Sequence, residues 1–182
     1  MGESLDSPGV HLMVHPYIGN SNILNKTSHQ STLKRRKNSL RLSEFDYSAP
    51  HAYSITICTS NWQEFFSDDE TARKTLGCLF ECVNGLNYRL FAFCLMPDHL
   101  HLLISPQESK TSLSEFIRQF KSRTSFHFKQ GKGLTLWQRG FYDHVVRKSE
   151  DLKGISDYML HNPVRKGLAK NPEEYLYSGP HE

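Results

Sequence analysis

Residues 88–105, YRLFAFCLMPDHLHLLIS, decide the fold of this chain. They contain two runs of β-forming residues, 88–96 and 99–105, separated only by Pro97 and Asp98. Proline and aspartate favour tight turns, so we predict that the two runs pair as the antiparallel strands of a hairpin. The remaining elements of the domain must cover or extend this hairpin.

The segments on either side of the hairpin show strand and helix patterns in turn. Residues 53–58 (YSITIC) alternate apolar and small polar side chains, which is typical of a half-buried strand. Apolar residues at helical spacing predict one helix from about 67 to 85 and another from 112 to 129. The buried stripes are predicted to contain Ala72, Leu76, Leu79, Phe80 and Val83 in the first helix, and Leu113, Phe116, Ile117, Phe120 and Thr124 in the second.

The C-terminal part is predicted to add a strand around His144 to Arg147 and a last helix that opens at 149–151. This helix must end at or near Pro163, because proline cannot continue the backbone hydrogen bonding. The order β-α-β-β-α-β-α predicts an α+β fold, namely a ferredoxin-like split-βαβ sandwich with an antiparallel sheet and a C-terminal helix. The last helix is predicted to point Leu152, Ile155 and Met159 inward.

Length and composition favour one main domain and argue against a membrane protein. The chain has 182 residues, a formal net charge of +3 and 37% hydrophobic residues, enough for one packed core. Its longest mostly apolar run, 90–96, is far shorter than the roughly 18–20 residues of a membrane-spanning helix. No cationic start leads into an apolar stretch, so a secreted precursor is also disfavoured.

The four cysteines indicate a reducing compartment. Cys58, Cys78, Cys82 and Cys94 show no CxxC spacing and lie inside apolar segments. A reduced thiol in such a place behaves as a small hydrophobic group. We therefore expect neither a disulfide scaffold nor a zinc knuckle, and we expect a cytoplasmic protein.

Residues 1–46 are predicted to form a disordered, basic N-terminal tail, and 47–182 the folded domain. The tail is rich in Ser, Asn, His and Lys and has no apolar periodicity. A basic cluster at 34–41 could bind a nucleic-acid backbone, or it could simply be solvated.

Two histidines in the second hairpin strand are candidate metal ligands. His99 and His101 are two residues apart, so in a strand their imidazoles point to one face while Leu100 and Leu102 point to the other. This geometry suits a shared metal ion. The spacing alone is equally compatible with ordinary polar alternation on a surface strand.

The last helix supplies a second pair of candidate residues. Tyr158 and Asn162 are four positions apart and share a face if the helix persists that far. A tyrosine beside a divalent ion can attack a phosphodiester. The alternative is a packed tyrosine and an asparagine that caps the helix before Pro163, since a residue before proline is pushed out of the α region.

Three blocks of sequence, taken together, resemble one family. They are 95–104 (LMPDHLHLLI), 136–144 (LWQRGFYDH) and 158–165 (YMLHNPVR). In this order they are similar to the single-tyrosine HUH transposases of bacterial insertion sequences, most closely the REP-associated tyrosine transposases. The resemblance covers about 52–179, including a closing PEEYLYS at 172–178.

The resemblance implies a role for each candidate. His99 and His101 would be the HUH metal ligands, Tyr158 the nucleophile, and Asn162 the third protein ligand on the same helix. Two departures are visible: Asp98 stands where many members have Asn, and Asn162 replaces the Gln of better-studied insertion-sequence members. Asn-Pro-Val is nevertheless common in the REP-associated branch.

A basic segment independently points to a nucleic-acid substrate. Between 118 and 148 eight positive charges face one negative charge. Interleaved aromatic rings offer stacking surfaces for unpaired bases, although Phe126 and Trp137 fit the core better than base contact. The residues predicted to contact DNA are Arg118, Lys121, Arg123, Arg139, His144 and Arg147.

The resulting hypothesis is a metal-dependent, site-specific endonuclease and strand transferase that acts on single-stranded or hairpin DNA. A Mg²⁺ or Mn²⁺ ion fits the ligand set of phosphate, Asn and water. By family analogy the protein is expected to be a homodimer. Two alternatives remain open: a non-catalytic regulator that binds DNA hairpins, and a phosphodiesterase in which a metal activates water.

Overall fold

A computed structural model of the protein describes residues 51–107, 111–132, 135–147 and 150–180, with side chains for all of these except 129–132. The predicted tail at 1–46, its basic cluster and the boundary at 46/47 lie outside the described residues. The predicted succession of strands and helices is confirmed within them. A short helix and a short strand are added near the C-terminus. The elements are β1 (Tyr53–Cys58), α1 (Asp69–Gly85), β2 (Tyr88–Met96), β3 (His99–Pro106), α2 (Leu113–Lys132), β4 (Tyr142–Val145), α3 (Leu152–Leu160), α4 (Asn162–Arg165) and β5 (Ser178–Gly179).

The strands form one five-stranded sheet in the order β4-β1-β3-β2-β5. Every neighbouring pair is antiparallel. β1 and β2 therefore run parallel to each other with β3 between them, and α1 connects them, which is the predicted split-βαβ arrangement. The fold class is confirmed as α+β.

β4 starts two residues earlier than predicted, at Tyr142 instead of His144. Pairing with β1 fixes these bounds, because Thr56 lies opposite Tyr142 and Tyr53 lies opposite Val145. The sequence prediction placed the strand too far towards the C-terminus because Val145 and Val146 are β-branched, and β-branched residues favour strands. Beyond the end of the strand, the Val146 backbone N–H donates to the Ala52 carbonyl at 2.8 Å.

The larger hydrophobic core lies between one face of the sheet and the helices α1 and α2. Leu100 and Leu102 of β3 are fully buried there, as the alternation predicts. Trp137 is also buried, and its indole N–H donates to the Thr124 hydroxyl at 2.7 Å. The expectation that Trp137 belongs to the core is thus confirmed. The α2 stripe is buried as predicted, at Leu113, Phe116, Ile117, Phe120 and Thr124.

The smaller core lies on the opposite face, under α3. Ile155 and Met159 pack there on Leu103, Cys94 and Ala92, with Leu152 at the margin. α3 therefore covers the face to which His99 and His101 belong.

Two aromatic side chains are more exposed than predicted. Phe80 is 42% exposed and packs edge-on against Phe93, with ring centroids 5.5 Å apart. It follows Leu79 directly, and a step of about 100° along a helix turns it away from the core. Phe126 is 62% exposed, so its assignment to the core is wrong. Six residues after Phe120, it falls on the outer face of α2, while Phe128 is buried instead.

None of the helices in the described part of the chain is long and apolar enough to cross a membrane.

We expect Phe120→Ala and Phe126→Ala to differ sharply in stability, although both change a phenylalanine on α2. Phe120→Ala leaves a cavity in the larger core and should lower the free energy of unfolding by about 3–5 kcal/mol. Phe126→Ala removes an exposed ring and should change it by no more than about 0.5 kcal/mol. Equilibrium denaturation with urea measures both. A loss of several kcal/mol in Phe126→Ala would contradict the exposed placement of that ring.

Candidate functional site

β3 occupies the centre of the sheet and presents His99 and His101 side by side on the α3 face. The two rings stand almost perpendicular, with centroids 4.6 Å apart. Their Nε2 atoms face each other at 3.0 Å. The alternation of β3 therefore does bring the two predicted ligands together.

Each histidine is held at its other ring nitrogen by an oxygen. His99 Nδ1 lies 2.5 Å from an Asp98 carboxylate oxygen, and both side chains are 15% exposed. His101 Nδ1 lies 2.9 Å from the Thr56 hydroxyl, on the neighbouring strand β1. Both rings are thus fixed with Nε2 directed at a common point.

These contacts define a directed chain of hydrogen bonds. A carboxylate only accepts, so His99 donates its Nδ1–H to Asp98 and keeps Nε2 as an acceptor. His101 then donates its Nε2–H to His99, and Thr56 donates its hydroxyl proton to His101 Nδ1. Because a threonine hydroxyl can either donate or accept, it can also support the opposite tautomer of His101.

His101 is held in its neutral form. Burial, the neighbouring His99 and the positive charge of Arg165 lower the pKa of His101 to about 3, against the opposing effect of Asp98. At neutral pH the ring therefore carries no charge. A neutral imidazole is the form that can bind a metal.

The donor set fits a divalent ion at the histidine pair. Nitrogen ligands lie about 2.0–2.1 Å from zinc-sized ions, so two of them at a right angle are separated by about 3 Å, close to the spacing seen here. Hydrogen bonding of the second ring nitrogen to an oxygen is also typical of histidine ligands. Within the described ranges no group of three or more His, Cys, Asp or Glu side chains could hold a metal.

Tyr158 lies in the last turn of α3, which begins at a capped N-terminus. The Asp151 carboxylate accepts from the Lys153 backbone N–H at 3.0 Å. Met159 and Ile155 fix the inner face of the helix on the sheet, and the Tyr158 side chain is 41% exposed. The phenol is therefore accessible to a large substrate.

The helix that carries Tyr158 ends before Asn162. α3 stops at Leu160, and Asn162 begins the separate turn α4 with Pro163 as its second residue. Proline lacks the N–H that would bond to the Met159 carbonyl, and His161 donates to that carbonyl instead. Asn162 thus lies beyond the regular helix, as expected before proline. This corrects the placement of Tyr158 and Asn162 on one helix.

Arg165 joins these two residues. Its guanidinium donates through Nη2 to the Tyr158 carbonyl and to the Asn162 side-chain oxygen, each at 2.6 Å. Its Cζ also lies 3.9 Å from the centroid of the Tyr158 ring. Both predicted residues are therefore held by one side chain to which the sequence interpretation gave no role.

The predicted DNA contacts on α2 lie away from the histidines. α2 covers the opposite face of the sheet, so Arg118, Lys121 and Arg123 do not line the histidine pair. Arg118 pairs with Glu115 and Arg123 with Glu81 at the surface. Lys121 donates to backbone carbonyls of Gln138 and Gly140, in the segment that leads to β4.

The predicted contacts near β4 are exposed. Arg139, His144 and Arg147 all reach solvent, and His144 Nε2 lies 2.9 Å from the Glu150 carboxylate. Register places His144 opposite Ser54, on the histidine face.

Tyr142 lies on the same face, opposite Thr56, which in turn lies opposite His101. Tyr142 is therefore a second exposed tyrosine about 10 Å from that histidine across two strands.

Two buried thiols flank the histidines. Cys58 lies opposite His99, and Cys94 lies opposite His101, so all four side chains share one face of the sheet. Burial raises the pKa of Cys58 to about 11 and that of Cys94 to about 12. Both groups therefore remain protonated thiols at neutral pH. Together with Cys78 and Cys82 they are free and buried, as the sequence predicts.

The partners of the histidines were not identified from the sequence. Thr56 belongs to the polar side of the β1 alternation, and Asp98 directly precedes His99. The contacts of Arg165 with Tyr158 and Asn162 were also not identified. Arg165 lies seven residues after Tyr158 and three after Asn162, so helical spacing alone could have indicated that the three residues are close. None of these patterns specifies a contact without the register of the sheet.

Comparison with known proteins places the chain in a family. A family model described as transposase IS200 like matches residues 47–162. A Haemophilus influenzae protein with the provisional name REP-associated tyrosine transposase is 29% identical over 109 residues, which are 52% of this chain and 60% of that protein. The REP-associated tyrosine transposase of Escherichia coli K12 is 27% identical over 92 residues, or 50% of this chain and 53% of that one. The chain thus spans little more than half the length of these relatives.

A solved structure shares the fold. It is a REP-associated tyrosine transposase bound to a REP hairpin, and it matches with a TM-score of 0.61 and 20% sequence identity. The match covers 75% of this chain and 82% of the other. It supports the ferredoxin-like sheet and its helices.

We expect metal-free protein at pH 8 to contain His99 as the Nδ1–H tautomer and His101 as the Nε2–H tautomer. The Asp98 carboxylate imposes this order of donors, because it can only accept, and the Thr56 hydroxyl is compatible with it. Long-range ¹H–¹⁵N NMR distinguishes the two tautomers, with exposed His127 as an internal reference. Asp98→Ala should release the tautomers of both rings, whereas Thr56→Val should leave the Nε2–H tautomer of His101 in place, because His99 Nε2 still accepts that proton. A proton on Nε2 of His99 in the unaltered protein would contradict the chain of hydrogen bonds.

Proposed function

Because this chain belongs to the transposase IS200 like family, we propose that it is a metal-dependent, site-specific endonuclease and strand transferase that acts on single-stranded or hairpin DNA. One observation carries this proposal. The imidazoles of His99 and His101 point their Nε2 atoms at one place on the sheet face that α3 covers, and α3 carries the exposed Tyr158. This combination would supply a nucleophile and a site for a divalent ion on the same face.

In the proposed reaction Tyr158 is the nucleophile. Its phenol oxygen forms a bond to the phosphorus of the scissile phosphodiester and releases its proton to solvent. The bond between phosphorus and the 3′ oxygen breaks, and that oxygen takes up a proton to become a free 3′-hydroxyl. The 5′ end remains attached as a phosphotyrosine, which conserves the ester bond, so a 3′-hydroxyl can reverse the step without ATP.

His99 and His101 would hold the ion through Nε2, with Asn162 as a candidate oxygen ligand. Mg²⁺ or Mn²⁺ would supply charge withdrawal from the phosphate, which a phenol alone cannot provide. The neutral state of His101 supports this assignment, since the ring only has to move its proton from Nε2 to Nδ1, where the Thr56 hydroxyl can accept the resulting hydrogen bond. Thr56 and Asp98 fix the two rings at the nitrogens opposite the ion.

The proposed DNA contacts lie in two groups, one on α2 and one near β4. Lys121 joins α2 to the segment before β4, so the basic side chains of α2 and those near β4 belong to neighbouring surfaces. Counterion release on such a surface favours a nucleic-acid backbone without sequence preference. The solved relative is bound to a hairpin, which supports DNA hairpins as probes. Our proposal includes the contacts Arg118, Lys121, Arg123, Arg139, His144 and Arg147, and a homodimer as in the family.

We expect Tyr158→Phe to abolish the covalent adduct with DNA and leave DNA affinity within about twofold, because only the attacking hydroxyl is lost. The probes are labelled single-stranded oligonucleotides that tile both strands of the DNA flanking the gene, with Mn²⁺ present. Denaturing gels detect the adduct, and fluorescence anisotropy measures affinity. Tyr142→Phe is the matched control, since it removes another exposed hydroxyl from the same sheet face and should leave the adduct intact.

The same assay separates the alternatives. Cleavage without an adduct in the unaltered protein would favour activated water, and binding without cleavage would favour a hairpin-binding regulator. Loss of the adduct in Tyr142→Phe but not in Tyr158→Phe would assign the nucleophile to β4.

We expect His99→Ala with His101→Ala to remove binding of Mn²⁺, because both imidazoles of the pair are lost. Electron paramagnetic resonance of free Mn²⁺ measures this without any DNA. His127→Ala, which changes an exposed histidine of α2, should bind Mn²⁺ like the unaltered protein. Equal Mn²⁺ affinity in the double variant and the unaltered protein would place the ion elsewhere.

A further inference from the structure

The break between α3 and α4 creates an unusual position for one arginine. Pro163 interrupts the helix, and the Tyr158 carbonyl, which in a continuous helix would accept from the Asn162 N–H, accepts from Arg165. Arginine side chains commonly satisfy the last carbonyls of a helix in this way. The break thus anchors a guanidinium beside the residue that carries the proposed nucleophile.

The guanidinium is fixed by three contacts to two residues. Nη2 uses its two N–H groups on Tyr158 and Asn162, each bond 2.6 Å long, and the planar group stacks on the Tyr158 ring at 3.9 Å. A planar, always charged group held in this manner is pre-organised and loses little entropy when it binds. Arg165 therefore orients the phenol ring.

The remaining donors of this guanidinium are available for a ligand. Across the described ranges, no hydrogen bond engages Nη1 or Nε of Arg165, and its side chain reaches solvent. The guanidinium lies over the ring that carries the phenol oxygen, with Cζ 3.9 Å from the ring centroid. Its positive charge also acts on His101, which places it within electrostatic range of the histidine pair.

We propose that Arg165 is a catalytic residue of the strand-transfer reaction: it donates to a non-bridging oxygen of the phosphate that Tyr158 attacks. This inference rests on the proposed function. Negative charge on those oxygens grows as the phenol oxygen attacks. A fixed guanidinium therefore stabilises the transition state more than it stabilises the ground state. The stack on Tyr158 keeps donor and nucleophile at one separation, so a phosphate that meets one meets the other.

The test compares two forms of the oligonucleotide that the full-length protein cleaves. One has a normal phosphodiester at the scissile position, and the other has a methylphosphonate, in which a methyl group replaces one non-bridging oxygen and removes the charge. On the phosphodiester Arg165→Ala should slow single-turnover adduct formation by about 100- to 1,000-fold. On the methylphosphonate the ratio of the two rates should fall to near one.

Three controls separate the loss of a catalytic contact from a loss of folding. Lys166→Ala changes the neighbouring exposed cation and should leave both rates unaltered. Arg165→Lys keeps the charge without the planar guanidinium and should recover only part of the rate on the phosphodiester. If Arg165→Ala does not fold, this variant still tests the proposal. Thermal melting and Mn²⁺ affinity of each variant report on folding and on Asn162.

The outcomes are distinct. An equal loss of rate on both oligonucleotides would overturn the proposal and leave Arg165 a structural role only. Full activity of Arg165→Ala on the phosphodiester would overturn it as well. Absence of any adduct in the unaltered protein would instead overturn the proposed function, and the role of Arg165 would fail with it.

Discussion

The alternation of side chains along β3 is the constraint on which the rest of the structure depends. β3 lies at the centre of the sheet, and its Leu100 and Leu102 close the larger core under α1 and α2. The same period of two places His99 and His101 on the opposite face. A shift of register by one residue would bury the imidazoles among leucines, so the free energy that stabilises the core also fixes the site. Stability and site geometry are thus two results of one pattern.

Much of the fold was accessible from local patterns. β1 and the hairpin were predicted within a residue, because alternating strands next to a short turn leave few alternatives. The bounds of β4 were less certain, since a four-residue edge strand takes its limits from its partner β1. β5 has two residues and no pattern of its own. Phe80 and Phe126 lie near or beyond the margin of an apolar stripe. The exposure of a side chain at such a position depends on which neighbouring elements pack against it, and the sequence pattern does not show this.

The site was accessible only in part. The spacing of His99 and His101 predicted their common face, and the structure agrees. The roles of Thr56 and Arg165 depend on contacts between elements that are distant in sequence or separated by a helix break. The prediction that a helix ends near Pro163 is correct. The contact between Arg165 and the Tyr158 carbonyl, however, depends on the direction in which the carbonyls at the end of α3 point. Sequence identifies such breaks but not the side chains that satisfy them.

The cross-strand cysteines have a consequence for the chemistry of the histidine face. Cys58 lies opposite His99 and Cys94 lies opposite His101, and both cysteine side chains are buried. Burial keeps both thiols protonated and out of competition. A divalent ion bound as we propose would therefore meet imidazole and oxygen donors at this face and no thiolate sulfur from these two positions.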